Sequence, residues 1–285
     1  MPYQNILAAI NLYEDYHDIV HTACQWAQQE HASLTLMSVL PQAISNVPFA
    51  YDFEAEMIDK TKQKMQALLD ELDRKDIKTH IDQGSIHHHI SDYAKDNNHD
   101  LIICGSHARH GLNLLLGSTA NGILHTAQCD VLTLRINKKG TRLVQKPYQN
   151  ILLATDLNPC HKAVSEQAKR IIDTFGSKAH VVSVVPDAAA LGGFYLPQMQ
   201  MELEKQVKTQ LADLADDLSI SPEHTFFKEG SPKQEILDCA EDINADLVVM
   251  GAHTKPNLAG VLLSSTANAV LHHAKQDILV VHTEN

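Results

Sequence analysis

The chain repeats itself, and this duplication restricts its fold more than any other feature of the sequence. Pro2-Tyr3-Gln4-Asn5-Ile6-Leu7-Ala8-Ala9-Ile10-Asn11 returns as Pro147-Tyr148-Gln149-Asn150-Ile151-Leu152-Leu153-Ala154-Thr155-Asp156. His99-Asp100-Leu101-Ile102-Ile103-Cys104-Gly105 returns as Ala245-Asp246-Leu247-Val248-Val249-Met250-Gly251, and Gly117-Ser118-Thr119-Ala120-Asn121 as Ser264-Ser265-Thr266-Ala267-Asn268. The matches keep their order in both halves. Two copies are too few for a solenoid, and 285 residues give each copy enough chain for its own core. We therefore expect two domains, residues 1–140 and 147–285, joined by the polar segment Asn137–Arg142.

Within each copy, short apolar runs alternate with helical patterns. Ile6–Ile10 and Ile151–Thr155 read as first strands buried on both faces, the mark of a parallel sheet. Ile19, Ala23 and Ala27, with Trp26 beside them, predict the first helix. Leu34–Leu40 and Ala179–Val185 predict second strands, and Leu101–Cys104 and Leu247–Met250 fourth strands. Third strands near Lys78–Asp82 and Thr225–Lys228 are less apolar. Fourth helices start near Ser118 and Ser265, before fifth strands Val131–Ile136 and Ile278–His282. This alternation predicts an α/β fold: two tandem Rossmann-like domains, each a five-stranded parallel sheet with helices on both faces. Ligands of such sheets bind beyond the carboxyl ends of the strands, where strand order reverses. Asn11, Asp156, Gly105 and Gly251 fall at such ends.

Composition excludes several classes. The formal net charge of −12 argues against a nucleic-acid partner, which calls for a basic face. No apolar run is long enough to span a bilayer, and the first residues have no signal-peptide pattern. Five cysteines without close spacing indicate neither a disulfide framework nor a zinc ribbon, so the expected location is the reducing cytoplasm. The chain has 18 histidines, and His17 and His21 have the spacing of a helical chelate. His87, His88 and His89 cannot converge on one ion from a helix. With no His-Glu-x-x-His or Cys-x-x-Cys pattern, the histidines are read as solvated or locally bonded and no metal site is assigned. His107 and His253 stand out because they follow the fourth strands at equivalent places.

The run from Gly105 to Ser118 supplies a glycine at a strand end and Gly117-Ser118 at a helix start, an arrangement able to cradle an anion. Taken alone, Gly-Ser before a helix is a capping signal. Together with the Tyr-Gln-Asn-Ile-Leu starts, the Asp-Leu runs ending in Gly-[Ser/Ala]-His and the Ser-Thr-Ala-Asn helix starts, it resembles the universal stress protein family, twice over nearly the whole chain. The resemblance implies that ATP, or a related adenine nucleotide, with magnesium as companion, binds an Asp after strand one and a Gly-x2-Gly-x9-Gly-[Ser/Thr] loop. Carried over, it implies Asp156, Val184, Gly251, His253, Thr254, Ser264, Ser265 and Thr266 in the second copy. In the first it implies Asn11, Val39, Gly105, His107, Gly117, Ser118 and Thr119.

Neither copy keeps the full pattern. Asn11 and Ala108 replace the Asp and a Gly in the first, whose loop is one residue short, and Thr254 and Ser264 replace glycines in the second. The second copy is the better candidate because it retains Asp156, Gly251 and the full spacing.

No nucleophile elbow, Walker loop or redox-cofactor signature is present. The expected activity is therefore binding of a regulatory nucleotide rather than catalysis. The alternatives are weak nucleotide hydrolysis, or a member that has lost the ligand and works through protein contacts. The resemblance also implies that the halves pair through their fifth strands, as a pseudo-two-fold pair able to dimerise again. Leu191–Pro197 and Asn46–Tyr51 read as aromatic loops, open to docking or closure.

Overall fold

The computed structural model describes residues 2–42, 50–107, 116–136, 148–158, 161–186, 197–253 and 263–283, without the side chains of 50–53, 107, 197, 199 and 253. The described residues fall into two compact units, 2–136 and 148–283.

The first unit runs β1 (Asn5–Ala9), α1 (His17–Glu30), β2 (Ser33–Leu40), α2 (Ala50–Leu72), β3 (Lys78–Gln83), α3 (Ile86–Asp96), β4 (Leu101–His107), α4 (Ser118–Thr126) and β5 (Asp130–Ile136). The second runs β6 (Asn150–Ala154), α5 (His161–Phe175), β7 (Lys178–Val185), α6 (Pro197–Asp217), β8 (Thr225–Glu229), α7 (Pro232–Asp242), β9 (Leu247–His253), α8 (Ser265–His273) and β10 (Asp277–Thr283), with a 3₁₀ turn at Pro222–His224 before β8. In each unit the five strands are parallel, in the order third, second, first, fourth, fifth. Each unit is thus a five-stranded Rossmann-like sheet flanked by helices. The order reverses between β1 and β4, and again between β6 and β9.

The apolar runs are strands because both their faces are covered. Ile6, Leu7, Ile102, Ile103, Leu132 and their counterparts Ile151, Leu152, Val248, Val249 and Leu279 are all at most 1% exposed. The predicted apolar face of α1 is also in the core, with Ile19, Ala23, Trp26 and Ala27 buried. The outer strand β3 is only half-buried, which is why its sequence is less apolar. Gly84 and Gly230 take φ of 148° and 134° just ahead of α3 and α7, a backbone turn that a side chain would strain.

The repeated motifs hold the amino-terminal ends of the strands together. The Tyr3 hydroxyl donates to Asp130 Oδ2 (2.7 Å), and the Tyr148 hydroxyl to Asp277 Oδ2 (3.0 Å). Asp100 accepts the backbone N–H groups of Gln4 (2.6 Å) and Asn5 (3.0 Å). Asp246 does the same for Gln149 (2.7 Å) and Asn150 (2.9 Å). A carboxylate accepting two main-chain donors ties the start of the first strand to the start of the fourth, because these donors have no partner in the sheet ladder.

One buried imidazole lies near the second strand of each unit, but from a different position. Leu7 pairs with Thr35 in the first unit and Leu152 with His180 in the second, so positions 35 and 180 are equivalent. In the first unit His99 Nε2 lies 3.3 Å from Thr35 Oγ1, and the rings of Tyr93 and His80 continue the layer. In the second, Ala245 stands at the place of His99, and His180 supplies the ring, against His224 and Phe226. His180 is 3% exposed with both ring nitrogens unpartnered. Burial, and then the neighbouring His224, push its pKa down to about 4.

Candidate functional site

A cavity of about 250 Å³ opens at the carboxyl ends of β6, β7 and β9. It sits at the switch in strand order, where an open α/β sheet leaves room between its crossover helices. One wall is apolar: Val182, Val184 and Pro186 from β7 and its exit, with Pro232 and Ile236 from α7. The opposite wall comes from the end of β9 and the start of α8, with Met250, Gly251, Ser264, Thr266 and Ala267. Ala154, Thr155, Asp156 and Asn158 lie between them, and His161 and Val164 of α5 complete the lining.

The loop after β6 is shaped by its own side chains. Asp156 Oδ1 accepts the Asn158 N–H (3.3 Å), and Asp156 Oδ2 accepts from Asn158 Nδ2 (3.0 Å). Thr155 Oγ1 accepts the Leu157 N–H (3.1 Å). Leu157 takes a left-handed φ of 54°, a conformation costing a side chain about 1–2 kcal/mol, and its own burial holds it there. The Asn158 carbonyl then accepts from His161 Nδ1 at 2.6 Å, which fixes the ring at the first turn of α5. Asp156 is the one carboxylate among the described residues of the wall, which include no lysine or arginine.

At the start of α8, Ser264 Oγ accepts the Ala267 N–H (3.0 Å), while the Ser264 carbonyl takes the Asn268 N–H (2.9 Å). One of the amides free to meet an anion is therefore already capped by the serine. Gly251 has a packing reason for being glycine. A Cβ there would lie 2.9 Å from Val164 Cγ2, and its φ is not left-handed, so the residue makes room for α5.

Of the residues implied by sequence in the second copy, Asp156, Val184, Gly251, Ser264 and Thr266 meet at this cavity. Ser265 begins α8 beside it and is exposed. His253 closes β9, but its side chain, like Thr254 as a whole, lies outside the described residues. Sequence reasoning did not single out Thr155, Asn158, His161, Pro186, Ile236 or Met250 as site residues, because none of them stands in a ligand motif. Pro232 opens α7 and lines the same cavity.

In the first copy Asn11 Oδ1 accepts the Tyr13 N–H (3.0 Å), the same local turn that Asp156 makes. The Tyr13 ring lies under Lys64 Nζ (4.2 Å), which also donates to the Leu12 carbonyl (3.0 Å), and the Tyr13 hydroxyl meets Thr61 Oγ1 (2.9 Å). Val39 is buried at the end of β2, and Gly105 lies in β4. Gly117 precedes α4 with no side-chain cap, followed by Ser118 and Thr119 in its first turn. His107 ends β4, with its side chain outside the described residues, as are Ala108, the following loop to Leu115, the linker Asn137–Arg142 and the loop Leu191–Leu196. Of Asn46–Tyr51, only the backbone of Ala50 and Tyr51, in α2, is described.

Several histidines elsewhere have local partners. His17 Nδ1 meets Asp15 (3.2 Å), and His89 Nδ1 meets Asp82 Oδ2 (2.7 Å). The His87 ring fills the space that Gly122 leaves between α3 and α4. Among the described residues no three His, Cys, Asp or Glu side chains are grouped to hold a metal ion, and no helix is long and apolar enough to cross a membrane.

Comparison with known proteins extends these findings. Universal stress protein A homolog 1 of Coxiella burnetii is 33% identical over 138 residues, covering 46% of this chain and 96% of the relative. Universal stress protein A homolog 2 of the same organism is 34% identical over 139 residues, covering 47% and 94%. The crystal structure of a universal stress protein from Archaeoglobus fulgidus superposes with a TM-score of 0.74 at 18% identity, covering 99% of both chains, a likeness of fold. Residues 2–135 and 147–282 each match the Universal stress protein family, so the chain belongs to that family, as two of its domains in tandem.

Proposed function

We propose that the second unit binds an adenine nucleotide, ATP or a close relative, as a regulatory ligand, and that the protein serves a cytoplasmic stress response through that binding. The observation that carries this reading is the convergence of Asp156, Val184, Gly251, Ser264 and Thr266 on one cavity at the strand-order switch. Its apolar wall of Val182, Val184, Pro186 and Ile236 suits a flat heterocycle, and the start of α8 suits a phosphate. Asp156 is the one carboxylate of the described wall able to meet a magnesium ion brought in with phosphates. In this reading the ligand is held and released unchanged.

The test is to purify the protein without added nucleotide, denature it, and separate the supernatant by ion exchange beside adenine nucleotide standards, with ATP titration of any empty protein. Nucleotide near one per chain, reduced by Asp156→Ala and not by Gly117→Val, supports binding by the second unit. Loss with Gly117→Val alone moves the site to the first unit. Failure to bind ATP at millimolar concentration overturns the reading, and steady ADP release above background replaces it with a hydrolase. A second copy of the chain is the expected partner, and a scattering mass of 31.6 kDa would contradict it.

A further inference from the structure

We propose that His161 makes the second-unit site selective for ribose over deoxyribose, by accepting a hydrogen bond from a sugar hydroxyl at Nε2. The inference rests on the adenine-nucleotide reading above and adds to it a residue that no motif marks.

The tautomer is the starting point. His161 Nδ1 lies 2.6 Å from the Asn158 carbonyl oxygen, which can only accept, so Nδ1 carries the proton. In the neutral ring Nε2 is then a lone-pair acceptor, and among the described residues none partners it. The ring is held as well as oriented, because Asn158 is itself tied to both oxygens of Asp156. A fixed acceptor on a cavity wall discriminates between a ligand that brings a donor and one that does not.

Topology says which part of a nucleotide would meet it. In sheet order β7 lies on one side of β6 and β9 on the other. The apolar wall belongs to β7 and α7, and the helix start suited to phosphate follows β9. A nucleotide with its base on the first and its phosphates at the second places its sugar in between, over the end of β6. The loop leaving β6 leads directly to His161. Val164, one turn on, rests on Gly251, which turns this face of α5 towards the cavity. Sugar hydroxyls are the donors a nucleotide carries at that place.

The experiment is titration calorimetry of the full chain with ATP, 2′-deoxy-ATP and 3′-deoxy-ATP. For the wild type, one deoxy analogue should bind about 3- to 10-fold more weakly than ATP, the range of a single neutral hydrogen bond. In His161→Ala the ratio should fall to about one, and His161→Gln, which restores an acceptor, should recover part of it. Should His161→Ala fail to fold by circular dichroism, His161→Phe keeps the ring bulk without the acceptor and carries the same test. Equal binding of all three ligands by the wild type, or discrimination that persists without the imidazole, overturns the proposal alone. A wild type that binds none of them overturns the adenine reading and this one with it.

Discussion

At the amino-terminal ends of their strands the two halves make the same bonds with the same residue types: Tyr3 to Asp130 and Tyr148 to Asp277, Asp100 and Asp246 each to two backbone amides. At the carboxyl ends they differ. Asn11 stands for Asp156, Tyr13 under Lys64 for Asn158 beside His161, and uncapped Gly117 for capping Ser264. Two of the three repeated motifs, those with Tyr3 and Asp100 and with Tyr148 and Asp246, thus supply fastenings of the sheet at the end away from the cavity. Similarity of the halves speaks for a common fold, and their chemistry has to be read at the other end.

The largest expected effect tests whether the buried rings divide the halves. His180 has a folded pKa of about 4 against an ordinary 6.5, so below pH 6.5 the unfolded chain takes up a proton that the folded one refuses. Stability is intact above pH 6.5 and falls as the pH drops through 4, by about 3 kcal/mol in all. Burial also lowers the pKa of His99, so the first unit loses stability in the same direction. His180→Thr, which copies Thr35, should flatten the acid loss in hydrogen exchange of β7 while leaving β2 unchanged. An unaltered pH profile for β7 would remove His180 as its source.

Next come the fastenings. Asp246→Ala and Asp100→Ala should each destabilise their own unit by about 1–3 kcal/mol, through the loss of two charge-assisted hydrogen bonds from the backbone, and to a similar extent. Denaturant midpoints would show it, and a large cost in one half only would break the equivalence of the two ends.

Gly251→Ala should cost about 1–2 kcal/mol by pressing on Val164. The double variant with Val164→Ala should recover part of that loss. Additive losses in a double-mutant cycle would contradict a packing role.

The smallest effect concerns the helix starts. Ser264→Gly should cost a few tenths of a kcal/mol in stability, yet free the Ala267 amide. Affinity for ATP relative to adenosine should then rise about 2- to 5-fold, on the scale of one neutral hydrogen bond. A ratio unchanged by calorimetry would mean that the cap does not compete with phosphate.

Most of the fold was legible in the sequence because strands covered on both faces are written as unbroken apolar runs, as Ile6–Ala9 and Leu247–Met250 are. The half-buried β3 was faint for the same reason. The site was legible only in part. Asp156 and Gly251 stand at strand ends, which the alternation locates, but Ile236 and Met250 look the same in sequence whether they face a cavity or a neighbouring helix. His161 was illegible because its role depends on a 2.6 Å contact with a carbonyl, a group every residue has. Gly251 was legible as a glycine but not for its reason, since sequence cannot tell room for a ligand from room for Val164.

The exchanged imidazoles carry a consequence for ancestry. Thr35 with His99, and His180 with Ala245, fill equivalent places by different pairs. A crossover that moved only the second-strand segment from one half to the other would bring two imidazoles together in one unit and leave neither in the other. Exchange of that strand alone therefore changes the number of these buried imidazoles in both units, whereas exchange together with the segment carrying position 99 or 245 keeps one in each.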